Sequence, residues 1–356
     1  MQYTIEEKAY IWLDSFSFLT YVEKLKINAV CKGALNAFKN IGKYEHQIIS
    51  IIGENGYKQM LFFKDFEKLL QEYQNQGVKC VVYDSENYPE QLSALENPPL
   101  VLYCKGNLKL LQENKRFAIV GSRKTAPNIL KLTQEFSQKL SEKFIIVTGI
   151  ADGADTSAIL GALESGNIIS VQATGFNHVY PACNRQLFDK ICQNGLAVSE
   201  YPPSVTAQKY YFPVRNRIIA ALSDGVLVVS GNLKSGARHT AKTAFDLGRE
   251  IFAFPYSIGV EQGQICNNII KEGGKLVENL VDITTTFGIN LTEKEKITLT
   301  ELESQILKII KSGQTHVSKI AELTNKKTYE LQATLMTMQI KGIIVDLGGN
   351  NFGAVK

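Results

Sequence analysis

From residue 116 onward, short apolar segments alternate with helical segments, and this order constrains the fold more than any other feature of the chain. The apolar segments are RFAIVGS, KFIIVTG, NIISVQATG, LAVSEY, GVLVVSG and EIFAFP. Helical patterns such as NILKLTQEFSQKLSE and DTSAILGALESG stand between them. Strands that are buried on both faces read as continuous apolar runs, so the alternation predicts a Rossmann-like α/β core with a parallel sheet covered by helices on both sides.

The segments on either side of this core predict the domain organisation. We assign a helical region to residues 1–72, the core to 73–285, a polar, Thr-rich linker to 286–300 and a winged-helix-like domain to 301–356. The last segment has the pattern of three helices followed by a short hairpin. Its third helix, KKTYELQATLMTMQIKG, would read a DNA groove in such a fold, but it is only weakly basic. Groove binding and protein docking therefore both remain open for this domain.

Composition excludes several classes of protein. The chain has 356 residues, 44% hydrophobic and 21% charged, with a formal net charge of +4, as expected for a globular protein of two or three domains. No two of the six cysteines form a CxxC pair, and the four histidines complete no zinc pattern. The sequence shows neither a signal peptide nor an apolar run of membrane-spanning length. We expect a cytoplasmic protein with reduced thiols, no metal and no contact with a membrane.

The first candidate binding segment is the run from Gly121 to Thr125, which follows a predicted strand. Ligands of open α/β sheets bind at the carboxyl ends of the strands, and glycine lets a phosphate approach the backbone closely. Ser122 and Thr125 offer hydroxyl donors, and Arg123 offers a bidentate cation. The run matches neither GxGxxG nor the Walker pattern. An ordinary strand-to-helix turn is the alternative interpretation.

Two further glycine-containing turns follow later strands. TGIADGAD ends at Asp155, which could be a plain helix N-cap or part of a phosphate-facing turn. Ser235 and Gly236 precede the helix AKTAFDLG, where backbone N–H groups suit an anion. We expect these turns to converge with Gly121–Thr125 on one edge of the sheet.

The most specific candidate is the segment KYYFPVRNR, residues 209–217. Single strands are held by cations on phosphates and by aromatic rings stacked on bases. Lys209, Phe212, Arg215 and Arg217 supply both, and we expect the two arginines to open a helix, where positive side chains oppose the helix dipole. A core phenylalanine beside surface arginines is the alternative interpretation.

Patterns typical of catalysis are weak in this sequence. It has no GxSxG elbow, and the four histidines have no nearby partner pattern. Glu200 and Asp224 stand singly rather than as a carboxylate pair. We therefore expect neither enzymatic activity nor a cofactor.

These segments, taken together and in order, resemble the DNA-processing protein A family (DprA, also called Smf). The resemblance is strong over about residues 80–285 and moderate over 300–356. Its motifs are NYPEQL, NPPLVLYCKG, IVGSRKT, TGIADGADTSAILGAL, YPACNRQL, SEYPP, FPVRNRIIAALS, SGARHTAKTA and GQICNNIIKEGGKLV. The chain departs from the family pattern at Asp152, Ile159, Ser230 and Tyr256.

The resemblance implies an extended Rossmann fold, a homodimer and sequence-independent binding of single-stranded DNA. It also implies delivery of incoming DNA to the RecA recombinase during natural transformation. Ser122 and Arg123 match the family's phosphate-binding turn, and Phe212, Arg215 and Arg217 match its basic, aromatic pocket. Lys209 lies just outside the motif. The C-terminal segment resembles the family's winged-helix module.

Two other functions stay open at this level. One is a nucleotide-binding hydrolase of the lysine-decarboxylase-like Rossmann type, which typically needs a PGGxGTxxE loop that SGNLKSGARHTAKTA does not provide. The other is a winged-helix transcription regulator whose Rossmann part senses a ligand.

Overall fold

The computed structural model describes residues 2–63, 66–113, 115–289, 299–340 and 343–354. Its helices are α1 Ile5–Ser15, α2 Tyr21–Val30, α3 Ala34–Asn40, α4 Glu45–Leu61, α5 Phe66–Asn75, α6 Glu90–Ser93, α7 Pro127–Leu140, α8 Ala154–Ala162, α9 Arg185–Asn194, α10 Tyr211–Ala221, α11 Ala237–Asp246, α12 Gln264–Lys271, α13 Leu280–Thr284, α14 Glu301–Lys311, α15 Val317–Thr324 and α16 Thr328–Ile340. Its strands are β1 Lys79–Val82, β2 Val101–Gly106, β3 Arg116–Val120, β4 Ile145–Thr148, β5 Ile168–Gln172, β6 Leu196–Ser199, β7 Gly225–Val228, β8 Glu250–Ala253, β9 Lys275–Leu276, β10 Ile344–Gly348 and β11 Asn351–Ala354.

Nine strands form one mostly parallel sheet, which confirms the predicted α/β class. The strand order is β1-β2-β6-β5-β4-β3-β7-β8-β9. The seven strands from β6 to β9 in this order run parallel, whereas β1 and β2 pair antiparallel at one edge. Strands β3 to β7 are buried along their whole length, as their apolar sequences require.

The two faces of the sheet carry separate apolar layers because side chains alternate along each strand. Phe117 and Ile119 of β3 face the layer that includes α7, α8 and α9. Ala118 and Val120 face the layer that includes α10, α11 and α12. No helix in the described ranges combines the length and the apolar character that crossing a bilayer requires.

The N-terminal helices pack directly on the sheet, in the same apolar layer as α7, α8 and α9. Trp12 of α1 and Tyr73 of α5 belong to the same buried cluster as Tyr103 of β2. Tyr103 also donates a hydrogen bond to the buried carboxylate of Asp14, with 2.9 Å between the oxygen atoms. Residues 1–289 accordingly form one compact unit, and 290–356 form a second.

The second unit contains α14, α15, α16 and the β10–β11 hairpin. Their order is that of the predicted winged-helix-like domain, and buried side chains such as Ile306, Ile320 and Leu335 form a core of their own. The proposed linker covers 286–300, of which 290–298 lie outside the described residues.

Candidate nucleic-acid interface

The candidate site lies where the chain changes direction across the sheet. The strand order places β4, β5 and β6 on one side of β3, and β7 and β8 on the other. At such a switch point the loops after the two central strands diverge and leave a crevice at their carboxyl ends. A pocket of about 330 Å³ opens there. It is lined by Val120, Gly121, Ser122, Arg123, Ala151, Asp155, Phe212, Arg215, Asn216, Ile219, Asn232, Ser235, Gly236, Ala237 and Thr240.

The turn after β3 is fixed by the strand beside it. Buried Ser230, just beyond β7, accepts a hydrogen bond from the Ser122 backbone N–H at 3.1 Å. The Thr125 hydroxyl donates to the Ser122 carbonyl at 2.8 Å and lies 2.5 Å from the Ser230 hydroxyl. Thr125 therefore stabilises the turn and does not line the pocket. Ser230, where the chain departs from the family pattern, thus connects the loop after β7 to the loop after β3 through hydrogen bonds.

Close backbone approaches account for two glycines near the pocket. A Cβ atom on Gly153 would lie 2.6 Å from the carbonyl oxygens of Ser122 and Arg123. A Cβ on Gly149 would lie 2.3 Å from both Arg215 Nη1 and Asp155 Oδ2. Gly153 thus leaves room for the turn after β3, and Gly149 leaves room for the buried pair of Asp155 and Arg215.

That pair lies at the floor of the pocket. Asp155 Oδ2 and Arg215 Nη2 are 4.0 Å apart, and both side chains are buried. Asp155 also accepts the Ala151 N–H, while Arg215 donates to the Val171 carbonyl. Burial raises the pKa of the Asp155 carboxyl and lowers the pKa of the Arg215 guanidinium, because both charged forms lose water. Asp155 lies in the first turn of α8, whose N-cap is Gly153, so the N-cap interpretation of Asp155 is wrong.

The accessible cation of the pocket is Arg123, and aromatic rings surround it. Its guanidinium carbon lies 5.3 Å from the ring centroid of Phe212 and 5.9 Å from that of Tyr180. The two rings contact each other edge to face, with centroids 5.4 Å apart. An exposed guanidinium held over aromatic rings can bind a phosphate while the rings offer faces to a base.

The N-terminus of α11 forms another wall. Gly236 is the N-cap, and the Ser235 hydroxyl accepts the Ala237 N–H at 3.3 Å. Ser235 and Gly236 therefore lie where the sequence placed them, at a helix N-terminus that faces the same pocket as Ser122. By contrast, α7 begins only at Pro127 and does not contribute its N-terminus to the pocket.

Helix α10 divides the predicted residues between its two faces. It begins at Tyr211, so the expectation that the arginines open the helix is wrong. Phe212, Arg215, Asn216 and Ile219, at spacings of three and four, face the pocket. Arg217 faces away and forms an ion pair with Glu200. Lys209 is exposed just before the helix and does not line the pocket.

Seven of the ten predicted site residues therefore line one pocket, and three do not. The seven are Gly121, Ser122, Arg123, Phe212, Arg215, Ser235 and Gly236, and the three are Thr125, Lys209 and Arg217. Sequence reasoning missed Tyr180 as a neighbour of Arg123, although its motif YPACNRQL was among those noted. It also missed Asn216, although this residue lies within the motif FPVRNRIIAALS, and Asn232; both line the pocket.

The three other family departures lie outside this pocket. Ile159 is fully buried in the apolar layer on one face of the sheet. Tyr256 donates a hydrogen bond to the Val229 carbonyl at 2.7 Å. Asp152 is exposed and accepts a hydrogen bond from Asn184 at 3.3 Å. None of the three lines the pocket.

Comparison with known proteins identifies relatives for this arrangement. Residues 79–288, more than half of the chain, match the family model of DNA recombination-mediator protein A. The DNA processing protein DprA of Bacillus subtilis is 35% identical over 224 residues, which cover 62% of this chain and 75% of that relative.

Solved structures agree with the sequence comparison. The X-ray structure of DNA processing protein A from Streptococcus pneumoniae superposes with a TM-score of 0.69 at 33% identity, covering 82% of this chain and 100% of that one. DNA processing protein A from Helicobacter pylori superposes with a TM-score of 0.55 at 30% identity, covering 59% of this chain and 95% of that one. The latter structure concerns the single-stranded DNA binding mode of that protein.

Proposed function

The chain belongs to the DNA recombination-mediator protein A family, and from this premise we propose that it binds single-stranded DNA, without sequence preference, in recombination and natural transformation. One observation carries the proposal at the level of atoms. The exposed Arg123 guanidinium lies over the Phe212 and Tyr180 rings, in a pocket that also contains the N-terminus of α11. Phosphate and base can both be bound there.

In this proposal each residue has a defined role. Arg123 and the Ser122 hydroxyl bind phosphate, the α11 N-terminus at Ser235–Gly236 binds a neighbouring phosphate, and Phe212 stacks on a base. Arg215 is held by Asp155 and shapes the pocket floor. Lys209, exposed just before α10, adds positive charge along the path of the strand. Because Gly121 has no side chain, a phosphate can approach the backbone closely at this position.

The finer parts of the proposal rest on family resemblance. A homodimer would place two such pockets on one strand and raise the apparent affinity for longer strands through avidity. Delivery of the bound strand to the RecA recombinase would follow binding. We assign no chemical step to the pocket, because its carboxylate is buried against Arg215.

The test is fluorescence anisotropy of a labelled oligo-dT strand and of a matched duplex across a salt series. We expect the wild type to prefer the single strand, with a salt slope of about −0.7 per phosphate neutralised. Arg123→Ala should lose about one phosphate contact, so the salt slope should become shallower by about 0.7. Phe212→Ala should weaken binding about 5- to 150-fold, since a base stack contributes roughly 1–3 kcal/mol.

Matched controls separate the pocket from general surface effects. Lys43→Ala removes an exposed cation and Phe62→Ala removes an exposed aromatic ring, both in the N-terminal region and outside the pocket. Both should bind like the wild type. Equal binding of single strand and duplex by the wild type would contradict the proposal and would favour a winged-helix transcription regulator instead. Release of free base from a nucleotide would favour a nucleotide-binding hydrolase.

A further inference from the structure

Tyr180 is an aromatic residue beside the candidate pocket to which the proposed function assigns no role of its own. It lies in the loop between β5 and α9 and is 43% exposed. Its ring contacts the Phe212 ring edge to face, with centroids 5.4 Å apart and ring planes inclined by 62°. Phe212 is also partly exposed and lines the pocket. Two solvent-accessible rings therefore meet at the pocket at a steep angle.

The loop that carries Tyr180 is anchored at both ends. On one side of Tyr180, the Asn177 backbone N–H donates a hydrogen bond to the Pro203 carbonyl at 3.0 Å. On the other side, the buried Asn184 amide donates to the Ile150 carbonyl at 2.8 Å. A ring on an anchored loop loses little conformational freedom when a ligand binds, which favours affinity.

Arg123 lies almost equally far from the two rings. Its guanidinium carbon is 5.3 Å from the Phe212 centroid and 5.9 Å from the Tyr180 centroid. Each phosphate of a nucleic acid strand joins two nucleotides, so a phosphate bound by Arg123 has one base on either side of it along the strand. The cation and the two rings thus match one dinucleotide step, with the cation for the shared phosphate and a ring for each base.

We propose that Tyr180 is a second stacking residue, so that one base lies on Phe212, the next base lies on Tyr180 and Arg123 binds the phosphate between them. The inference rests on the proposed function and deepens it, because it names the feature of the strand that this site recognises.

The inclination of the rings gives the site a physical means of selecting single strands. A stacked base lies parallel to its ring, so two bases on these rings are inclined to each other by the 62° between the ring planes. Neighbouring base pairs of a duplex lie parallel, about 3.4 Å apart, and would have to unstack to occupy both rings. Every base has a face, so the selection needs no particular sequence.

The test compares labelled oligo-dT with a strand of the same length in which every second nucleotide is abasic. The phosphates are the same in both strands, but the alternating strand can place a base on only one of the two rings in any register. The wild type should therefore bind it about 5- to 150-fold more weakly, the contribution of one base stack. Tyr180→Ala should bind the two strands nearly equally, because either strand can place a base on the Phe212 ring that remains.

The salt dependence distinguishes stacking from a purely structural role of Tyr180. If the Tyr180 ring only held Arg123 in place, Tyr180→Ala would make the salt slope shallower by about 0.7 and would leave the abasic penalty intact. If Tyr180 stacks on a base, the variant should keep the wild-type slope and lose the penalty.

Three further variants complete the design. Tyr180→Phe retains an aromatic ring and should retain the abasic penalty. Phe212→Ala leaves Tyr180 as the ring that can stack and should also abolish the penalty, so the test does not depend on the folding of Tyr180→Ala. Phe62→Ala removes an exposed ring outside the pocket and should behave like the wild type.

The outcomes separate this inference from the proposed function. A wild type that binds oligo-dT in a salt-dependent manner but binds the alternating strand equally well overturns the two-ring step and leaves the function standing. An abasic penalty of the same size in Tyr180→Ala and the wild type also overturns it. A wild type that binds neither strand overturns the proposed function itself.

Discussion

At the scale of single residues, the pocket depends on a charged pair that only a glycine can accommodate. Asp155 and Arg215 occupy the space in which a Gly149 side chain would lie, with both contacts at 2.3 Å from an added Cβ. Arg215 adjoins Asn216, whose amide accepts from Arg215 Nε at 3.1 Å and donates to the Gly236 carbonyl. The position of Arg215 is thus linked to both Gly149 and the α11 N-terminus.

Gly149→Ala should displace this pair. Overpacking a well-filled site costs roughly 1–3 kcal/mol, so the urea midpoint of unfolding should fall, and single-strand affinity should fall with it because Arg215 shapes the pocket floor. Gly42→Ala is the control, since an added Cβ there meets no atom within 4 Å. Unchanged stability and affinity of Gly149→Ala would mean that the pair relaxes without cost.

Asp155 should also produce a measurable pH dependence of stability. Burial raises its pKa above the ordinary value, although Arg215 opposes the shift. A raised carboxyl pKa means that the folded state holds the proton more tightly, so the contribution to stability is greatest at acid pH and is lost as pH rises through the folded value. Relative to Asp155→Asn, the wild type should therefore lose stability between pH 4 and pH 7. Urea unfolding at both pH values measures this, and an opposite trend would show that Arg215 outweighs burial.

At the scale of elements, α10 and the loops at the strand ends position most of the side chains that line the candidate pocket. The helical period sends Phe212 and Arg215 to one cavity and Val214 and Arg217 to another. A sequence segment that looks like one basic, aromatic cluster therefore faces two cavities, the candidate pocket and a second cavity of about 490 Å³ on the other side of α10. The expectation that both arginines serve one pocket failed because it read the segment linearly rather than around a helix.

Helix capping offers a separate test in the second unit. Thr300 forms a capping box with Glu303, accepting its N–H at 3.2 Å and donating its own N–H to the carboxylate at 2.8 Å. Thr300→Ala should destabilise α14 by about 1 kcal/mol. Hydrogen exchange in α14 should then quicken about fivefold. Thr337→Ala, at an exposed mid-helix position in α16, should leave exchange nearly unchanged. Equal effects of the two variants would contradict a role for the cap.

At the scale of the whole molecule, the chain divides into a unit that contains both cavities and a unit that contains neither. All lining residues of the two cavities lie within residues 1–289. The N-terminal helices belong to that unit because they bury Trp12 and Tyr73 in the same apolar layer as the sheet. They also line the second cavity through residues such as Tyr21 and Lys24.

Truncation after Ile289 should therefore preserve single-strand binding. We expect the affinity of the truncated chain for a short oligo-dT strand to lie within about threefold of the full chain, below half of the 1.4 kcal/mol that a tenfold change represents. Anisotropy at one salt concentration measures it, with Arg123→Ala in the truncated chain as the negative control. A loss of tenfold or more would mean that residues 290–356 contribute to binding.

Local patterns along the chain were enough to predict the α/β core and the loops that meet at one edge of the sheet. Both inferences depend on local periodicity and on the rule that parallel strands end on the same side. The sequence also identified Gly121, Ser122 and Arg123, which follow the buried strand β3, and Phe212 in the basic, aromatic segment; all four line one pocket.

The partners of the polar and charged groups, by contrast, follow from the folded structure. Arg217 meets Glu200, 17 residues away, Arg215 meets Val171, 44 residues away, and Ser122 meets Ser230, 108 residues away. The proximity of Tyr180 to Arg123 likewise arises from the fold. Pairings over such separations are set by strand order and helix rotation, and a linear pattern carries neither. For that reason the sequence indicated the kind of ligand, whereas the structure showed which of the predicted residues share one pocket.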